Sequence, residues 1–127
     1  GGDEMTGTEI YTAALAVLSQ EPGDNEKWDR MAVSWLNLAL AQALPTENSL
    51  REEGGFSLLS AAPRVETLGE KVKVHERLYA ALVNALAAQL WEDAREPYKA
   101  QDYRQRFAQE LADARVSVPH GVVDWYG

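Results

Sequence analysis

The chain has 127 residues, 46% of them hydrophobic, and a formal net charge of −8, which suits one domain with a core of its own. The acidic balance opposes tight binding to a nucleic-acid backbone, which needs a basic surface, but not loose contact with DNA that slides past. With no cysteine and two histidines, a disulfide framework and a thiolate metal site are excluded, an imidazole site has little to build on, and no metal or cofactor is expected.

Gly1 to Glu4 precede a start at Met5 and are expected to be a cloning remnant outside the fold; no signal peptide or transmembrane segment is expected. Thr6-Gly7-Thr8-Glu9 fits a capping box, with Thr6 as N-cap and Glu9 at the third helical position. The first helix then runs to about Ser19, with Ile10, Ala14, Val17 and Leu18 on one face and Tyr11 and Leu15 widening it. Gln20-Glu21-Pro22-Gly23 is a turn. Asp24 or Asn25 caps a second helix from Glu26 to Leu44, which Pro45 is expected to end by disfavouring helical geometry in the residue before it. Trp28, Met31, Ala32, Trp35, Leu38 and Ala39 recur at helical steps and read as packing residues; acidic neighbours oppose a base-stacking role for the two tryptophans.

Pro45 to Val74 is the least regular region, far longer than an ordinary connection. Phe56, Leu58 and Leu59 suggest a short strand or helical turn, and Arg64-Val65-Glu66 and Lys71-Val72-Lys73-Val74 alternate weakly, as short strands do. A protruding interaction loop, with room for a small hairpin, is expected here. The stretch Leu78 to Trp91, LYAALVNALAAQLW, is apolar nearly all round, so it predicts a central helix covered by neighbours on most sides, running from about His75 to Asp93 or Ala94. Its fourteen residues rise only about 21 Å, too little to cross a bilayer. A polar corner follows, and a last helix starts with Glu96 as cap and Pro97 at its first position, reaching about Arg115. Tyr103, Phe107, Leu111 and Ala114 form its apolar stripe, with Tyr98 and Ala100 near its start. Asp102 and Arg106 stand at ion-pair spacing on its wet side. The remaining residues, 116–127, form an extended tail, whose Val122, Val123, Trp125 and Tyr126 should dock on this domain or a neighbour rather than stay free. The expected architecture is all-α: four helices over residues 5–115, a long loop at 45–74 and a docking tail.

No catalytic constellation emerges. His75-Glu76 lacks the second histidine of the zinc-protease helix, because the required position is Tyr79. His75 reads as a solvated residue near a helix start and His120 as a turn residue. Glu52-Glu53 and Glu92-Asp93 are adjacent pairs that diverge on a helix and so cannot converge as an acid dyad. Gly54-Gly55 lacks the Lys, Ser or Thr of a phosphate loop, and the serines at 34, 49, 57, 60 and 117 have no nucleophile-elbow context. A helix-turn-helix is allowed by the short turn at Gly23, but the would-be reading helix opens Glu26-Lys27-Trp28-Asp29-Arg30, a poor charge pattern for a phosphate-lined groove. The chain is expected not to be an enzyme.

Three segments carry a family resemblance. The opening Met5-Thr6-Gly7-Thr8-Glu9-Ile10-Tyr11-Thr12-Ala13-Ala14-Leu15, the segment His75 to Leu90 with the acidic corner and aromatic last helix after it (Tyr98, Tyr103-Arg104, Phe107), and the ending Val122-Val123-Asp124-Trp125-Tyr126-Gly127 are similar to the small head–tail connector (adaptor, or neck) proteins of tailed bacteriophages and prophages. The resemblance covers most of residues 5–127; Pro45 to Val74 has no counterpart in it. It implies a helical subunit assembled in a ring, commonly twelvefold, beneath the portal. Such a ring would extend the DNA channel without sequence-specific binding and face the tail or a stopper protein. It implies no membrane partner, and a location in the host bacterial cytoplasm during assembly and then in the virion neck. Phe56, Leu58 and Leu59 of the loop and Val122, Val123, Trp125 and Tyr126 of the tail are the expected subunit or partner interface. The rival expectation is a non-enzymatic regulatory or adaptor domain that binds a protein partner or DNA as a monomer or dimer; a small-ligand binder finds no converging polar groups.

Overall fold

The computed structural model describes residues 5–116, and within them the chain runs through four α-helices: α1 (Gly7–Val17), α2 (Glu26–Gly54), α3 (Tyr79–Asp93), entered through a 3-10 turn at Glu76–Leu78, and α4 (Pro97–Val116). Thr6 caps α1, its hydroxyl accepting from the Glu9 N–H at 3.2 Å. Asn25 caps α2, its side chain accepting from the Trp28 N–H at 3.0 Å. The apolar stretch anticipated as central is so: α3 packs against α1, α2 and α4, burying Leu82, Leu86 and Leu90 completely. Ala81, Ala85, Ala87 and Ala88 are buried with them and let the neighbouring helices approach closely. Tyr103, Phe107 and Leu111 of α4 pack against the same core, whereas Tyr98 is 91% exposed.

Helices α1, α2 and α3 end alike. Beyond each last turn a residue takes a left-handed conformation: Ser19 (φ 57°), Gly55 (φ 78°) and Arg95 (φ 63°). Its N–H and the next residue's N–H return to carbonyls of the final turn, as in Gly55 to Glu52 at 3.2 Å and Phe56 to Arg51 at 2.8 Å. This is the Schellman arrangement, which satisfies carbonyls that a helix end leaves without donors.

Two expectations about the middle of the chain are corrected. Pro45 does not end α2, which continues through it to Gly54. An interior proline removes one backbone hydrogen bond and costs about 3 kcal/mol. Beyond it, however, Thr46, Glu47 and Leu50 are buried, and this tertiary burial outweighs the local preference. The expected loop at 45–74 therefore shrinks to the segment from Gly55 to His75. No strand or hairpin forms among the described residues; the weak alternation yields one isolated antiparallel bridge, Thr6 to Lys71. Val65 and Val72 instead turn into the core beneath the loop.

That bridge fixes the loop to the start of α1. Thr8 N–H donates to the Leu68 carbonyl at 2.7 Å, Gly7 N–H to Glu70 at 3.2 Å, and Val72 N–H to Met5 at 2.9 Å. Gly7 is required here, since a Cβ would stand 2.9 Å from the Leu68 oxygen and 3.1 Å from Leu36 Cδ2. The apolar seam of α2 is also rotated from its expected line. Trp28, Ala32, Leu36, Ala39, Leu40 and Ala43 are buried, whereas Met31 and Leu38, expected within the seam, sit at its exposed edge.

Candidate functional site

The loop is not loosely attached. Asn37 and Asn48 are eleven residues apart, about three helical turns, and so share a face of α2. Each uses its carboxamide as a substitute strand. Asn48 accepts the Leu59 N–H at 2.8 Å and donates to the Leu59 carbonyl at 3.0 Å. Asn37 makes the same pair of bonds to Val65, both at 2.9 Å. A side-chain amide carries both a donor and an acceptor, so one residue satisfies both backbone groups of its partner. The loop thus runs back down α2, pinned at Leu59 and again at Val65.

A buried carboxylate completes the clasp. Glu47 has no exposed surface; one oxygen accepts the His75 N–H at 2.8 Å and the other accepts Arg51 Nε at 2.6 Å. Arg51 also reaches the Ser57 carbonyl at 3.4 Å. The last turns of α2 therefore hold both ends of the loop, His75 at one and Ser57 to Leu59 at the other. His75 is corrected here: it is buried, not solvated, and its Nδ1 accepts the Arg77 N–H at 3.0 Å to cap the turn into α3. At the loop's far bend Glu70 accepts the N–H groups of Thr67 and Glu66, both at 2.7 Å. These bonds, Thr67's first, hold its carboxyl below the usual range.

The clasp leaves two large apolar side chains pointing outward. Phe56 is 46% and Leu58 56% exposed, immediately after the C-cap of α2, while Leu59 is half-buried. They form a fixed hook beyond the helix end, flanked by the exposed Glu52 and Glu53. The other four expected interface residues, Val122, Val123, Trp125 and Tyr126, lie outside the described residues, as does His120.

A second surface lies farther back on α2. Trp35, Leu38 and Gln42 form one wall of a groove, Arg104 and Phe107 of α4 the other, and Ala85 and Ala88 of α3 its floor; the volume is about 180 Å³. The small floor residues make the depression, and Leu38 on its rim is 46% exposed. Arg104 pairs with Glu92 across an exposed 3.2 Å contact. Between Val33, Asn37, Ala41 and the bend at Arg64 to Glu70 lies a broader, open depression of about 1000 Å³ that carries Glu66 and Glu70 on its edge.

The polar corner is more ordered than a solvated surface. Asp93 accepts from Lys27 Nζ at 2.7 Å and from Trp28 Nε1 at 2.7 Å, and these two donors, Lys27 first, hold its carboxyl below the usual range. Trp28 is therefore a core residue with a partnered indole. Within α1, burial and then Asp29 push the Tyr11 hydroxyl above its ordinary value; Tyr11 donates to Asp29 at 2.6 Å. Asp29 also accepts the Gly23 N–H at 3.1 Å, which fixes the turn between α1 and α2.

Sequence reasoning named Phe56, Leu58 and Leu59 but missed Glu47, Asn48 and Asn37. The signal was faint: Glu47 and Arg51 at ion-pair spacing, and two asparagines in register on one helical face. Among the described residues no helix is long and apolar enough to cross a membrane, and no group of acidic or histidine side chains gathers as a metal site. No protein-family model, curated protein or solved structure matches the chain.

Proposed function

We propose that this chain is a non-enzymatic structural subunit of a phage or prophage head–tail connector, assembling with copies of itself into a ring beneath the portal and meeting the tail or a stopper protein. The observation that carries the reading is the hook. Phe56 and Leu58 are large, apolar and exposed, yet four side-chain bonds from Glu47, Asn48 and Arg51 hold the loop that presents them, and Arg51 is itself braced on Glu47. A side chain fixed in place and left uncovered binds a partner without first being ordered. The helical bundle and the sequence resemblance agree with this role, and a net charge of −8 suits a channel wall that DNA slides past rather than grips.

Native mass spectrometry over a concentration series, with the particles viewed by electron microscopy, tests the reading. A closed ring of several subunits is expected. A dimer at every concentration would favour the regulatory-domain reading and overturn this one.

A further inference from the structure

We infer that the tail segment 122–126 adds as a strand to the outer edge of the hook of its own chain, bonding the backbone at Leu58 and Ser60. The ring reading is not needed for this, because the contact lies within one chain. The clasp shows which edge is open. Ser57 and Leu59, two residues apart, both turn their backbone to α2. The Ser57 carbonyl accepts from Arg51 at 3.4 Å, and Leu59 bonds to Asn48 through both its N–H and its carbonyl. In an extended chain alternate residues turn these groups to one side and their neighbours to the other. Leu58 and Ser60 therefore turn outward; both are exposed, and the backbone of neither bonds to another described residue. Side chains of α2 stand in for a strand on one side of the hook, and the other side is an open edge, a template for an added strand.

The occupant follows from where α4 ends. Ser49 and Glu53 of α2 line one depression with Ala112 and Arg115 of α4, so the last turns of the two helices lie side by side. Residues 117–127, outside the described structure, continue from that point. Glu53 stands five residues before Leu58, no more than about 18 Å along the chain. Val122 follows Val116 by six residues, about 20 Å when extended, and Tyr126 by ten, about 33 Å. Pro119 and Gly121 interrupt a helix and let the chain turn on the way. Val122-Val123-Asp124-Trp125-Tyr126 is rich in the β-branched and aromatic residues that strands favour. Tethered this close, it meets its own edge at an effective concentration of about millimolar, which a separate copy has to match in solution. Strand addition bonds an edge and leaves the faces open. Phe56 and Leu58 therefore remain exposed, and alternate tail side chains, Val123 with Trp125 or Val122 with Tyr126, widen the apolar face they present.

The test has two readouts on the full-length chain. Photo-crosslinking with p-benzoylphenylalanine in place of Ser60, in a mixture of isotopically light and heavy chains, should give same-label crosslinks to residues 122–126. Residue-resolved amide exchange should show Leu58 and Ser60 protected. Val123→Pro combined with Asp124→Pro removes a donor from each side of the tail strand, and should speed exchange at Leu58 and Ser60 about tenfold while leaving Leu59, bonded to Asn48, unchanged. Crosslinks to 122–126 that form only between labels assign the tail to a second copy and overturn the inference. Crosslinks that fall in the α2–α4 groove, or exchange at Leu58 and Ser60 that the prolines do not alter, overturn it too. A docked tail in a chain that stays monomeric at its highest soluble concentration sinks the connector reading and supports this inference; rings whose exchange ignores the prolines do the reverse.

Discussion

From Glu26 to Leu44, α2 turns only apolar side chains into the core: Trp28, Ala32, Leu36, Ala39, Leu40 and Ala43. From Pro45 to Gly54 it buries Thr46 and Glu47 beside Leu50, and its outer face grips a loop through Asn48 and Arg51. One helix thus has two modes of attachment. The first half buries a wholly apolar seam against other helices, contact that is non-directional and tolerant of small shifts, and adds directional bonds at its edges, Asn37 to Val65 and Trp28 to Asp93. The second places a bonded carboxylate, Glu47, inside the core beside Leu50, and its bonds to the backbone at His75, Ser57 and Leu59 fix the position of the chain that follows. The core-building half needs the first mode, and the half that aims Phe56 and Leu58 uses the second.

Substitutions in the two halves should separate these modes. Leu36→Ala empties a fully buried position in the first half and should cost about 3 kcal/mol, read as a lower urea midpoint by circular dichroism. Glu47→Ala in the second half leaves the buried His75 N–H and Arg51 without their acceptor and should cost about 2 kcal/mol. Its hydrogen exchange should also accelerate at Leu59, which Leu36→Ala should not do beyond its global destabilisation. Equal loop protection in the two variants would remove the distinction between the halves. Pro45→Ala restores the missing backbone donor and should stabilise by about 1–2 kcal/mol after the greater freedom of the unfolded chain is counted. A destabilised Pro45→Ala would mean that the second half depends on the proline itself.

The smallest effect is at the corner against the first half. Because the folded-state pKa of Asp93 is depressed, its contribution is complete above the ordinary carboxylate range and is lost as pH falls through the depressed value, below about pH 4. Asp93→Asn should flatten the acid limb of a urea-midpoint profile, by no more than an exposed ion pair is worth, a few tenths of a kcal/mol. An unchanged acid limb would show that the Lys27 and Trp28 bonds add nothing.

The same contrast explains what was legible in the sequence. α1, α3, α4 and the first half of α2 follow from apolar spacing and caps, because those signals lie within a few residues of each other. Leu78 to Trp91 declared itself central because almost nothing in it is polar. The second half of α2 was hidden because Pro45 is a strong local signal, whereas the partners that overrule it, His75, Ser57 and Leu59, lie in a stretch without period. His75 was misplaced for the same reason: its burial depends on Glu47, twenty-eight positions earlier. The outward hook residues were legible as apolar residues without a helical home, but the groove was not, since it is assembled from three helices.

Sedimentation velocity of the full chain beside the double variant Phe56→Ser, Leu58→Ser tests the central claim most directly. The account predicts assemblies larger than a dimer for the parent chain, and a monomer with unchanged helix content for the variant, since neither side chain supports the core. Assembly of the variant indistinguishable from the parent, or a parent chain that never associates, would contradict it.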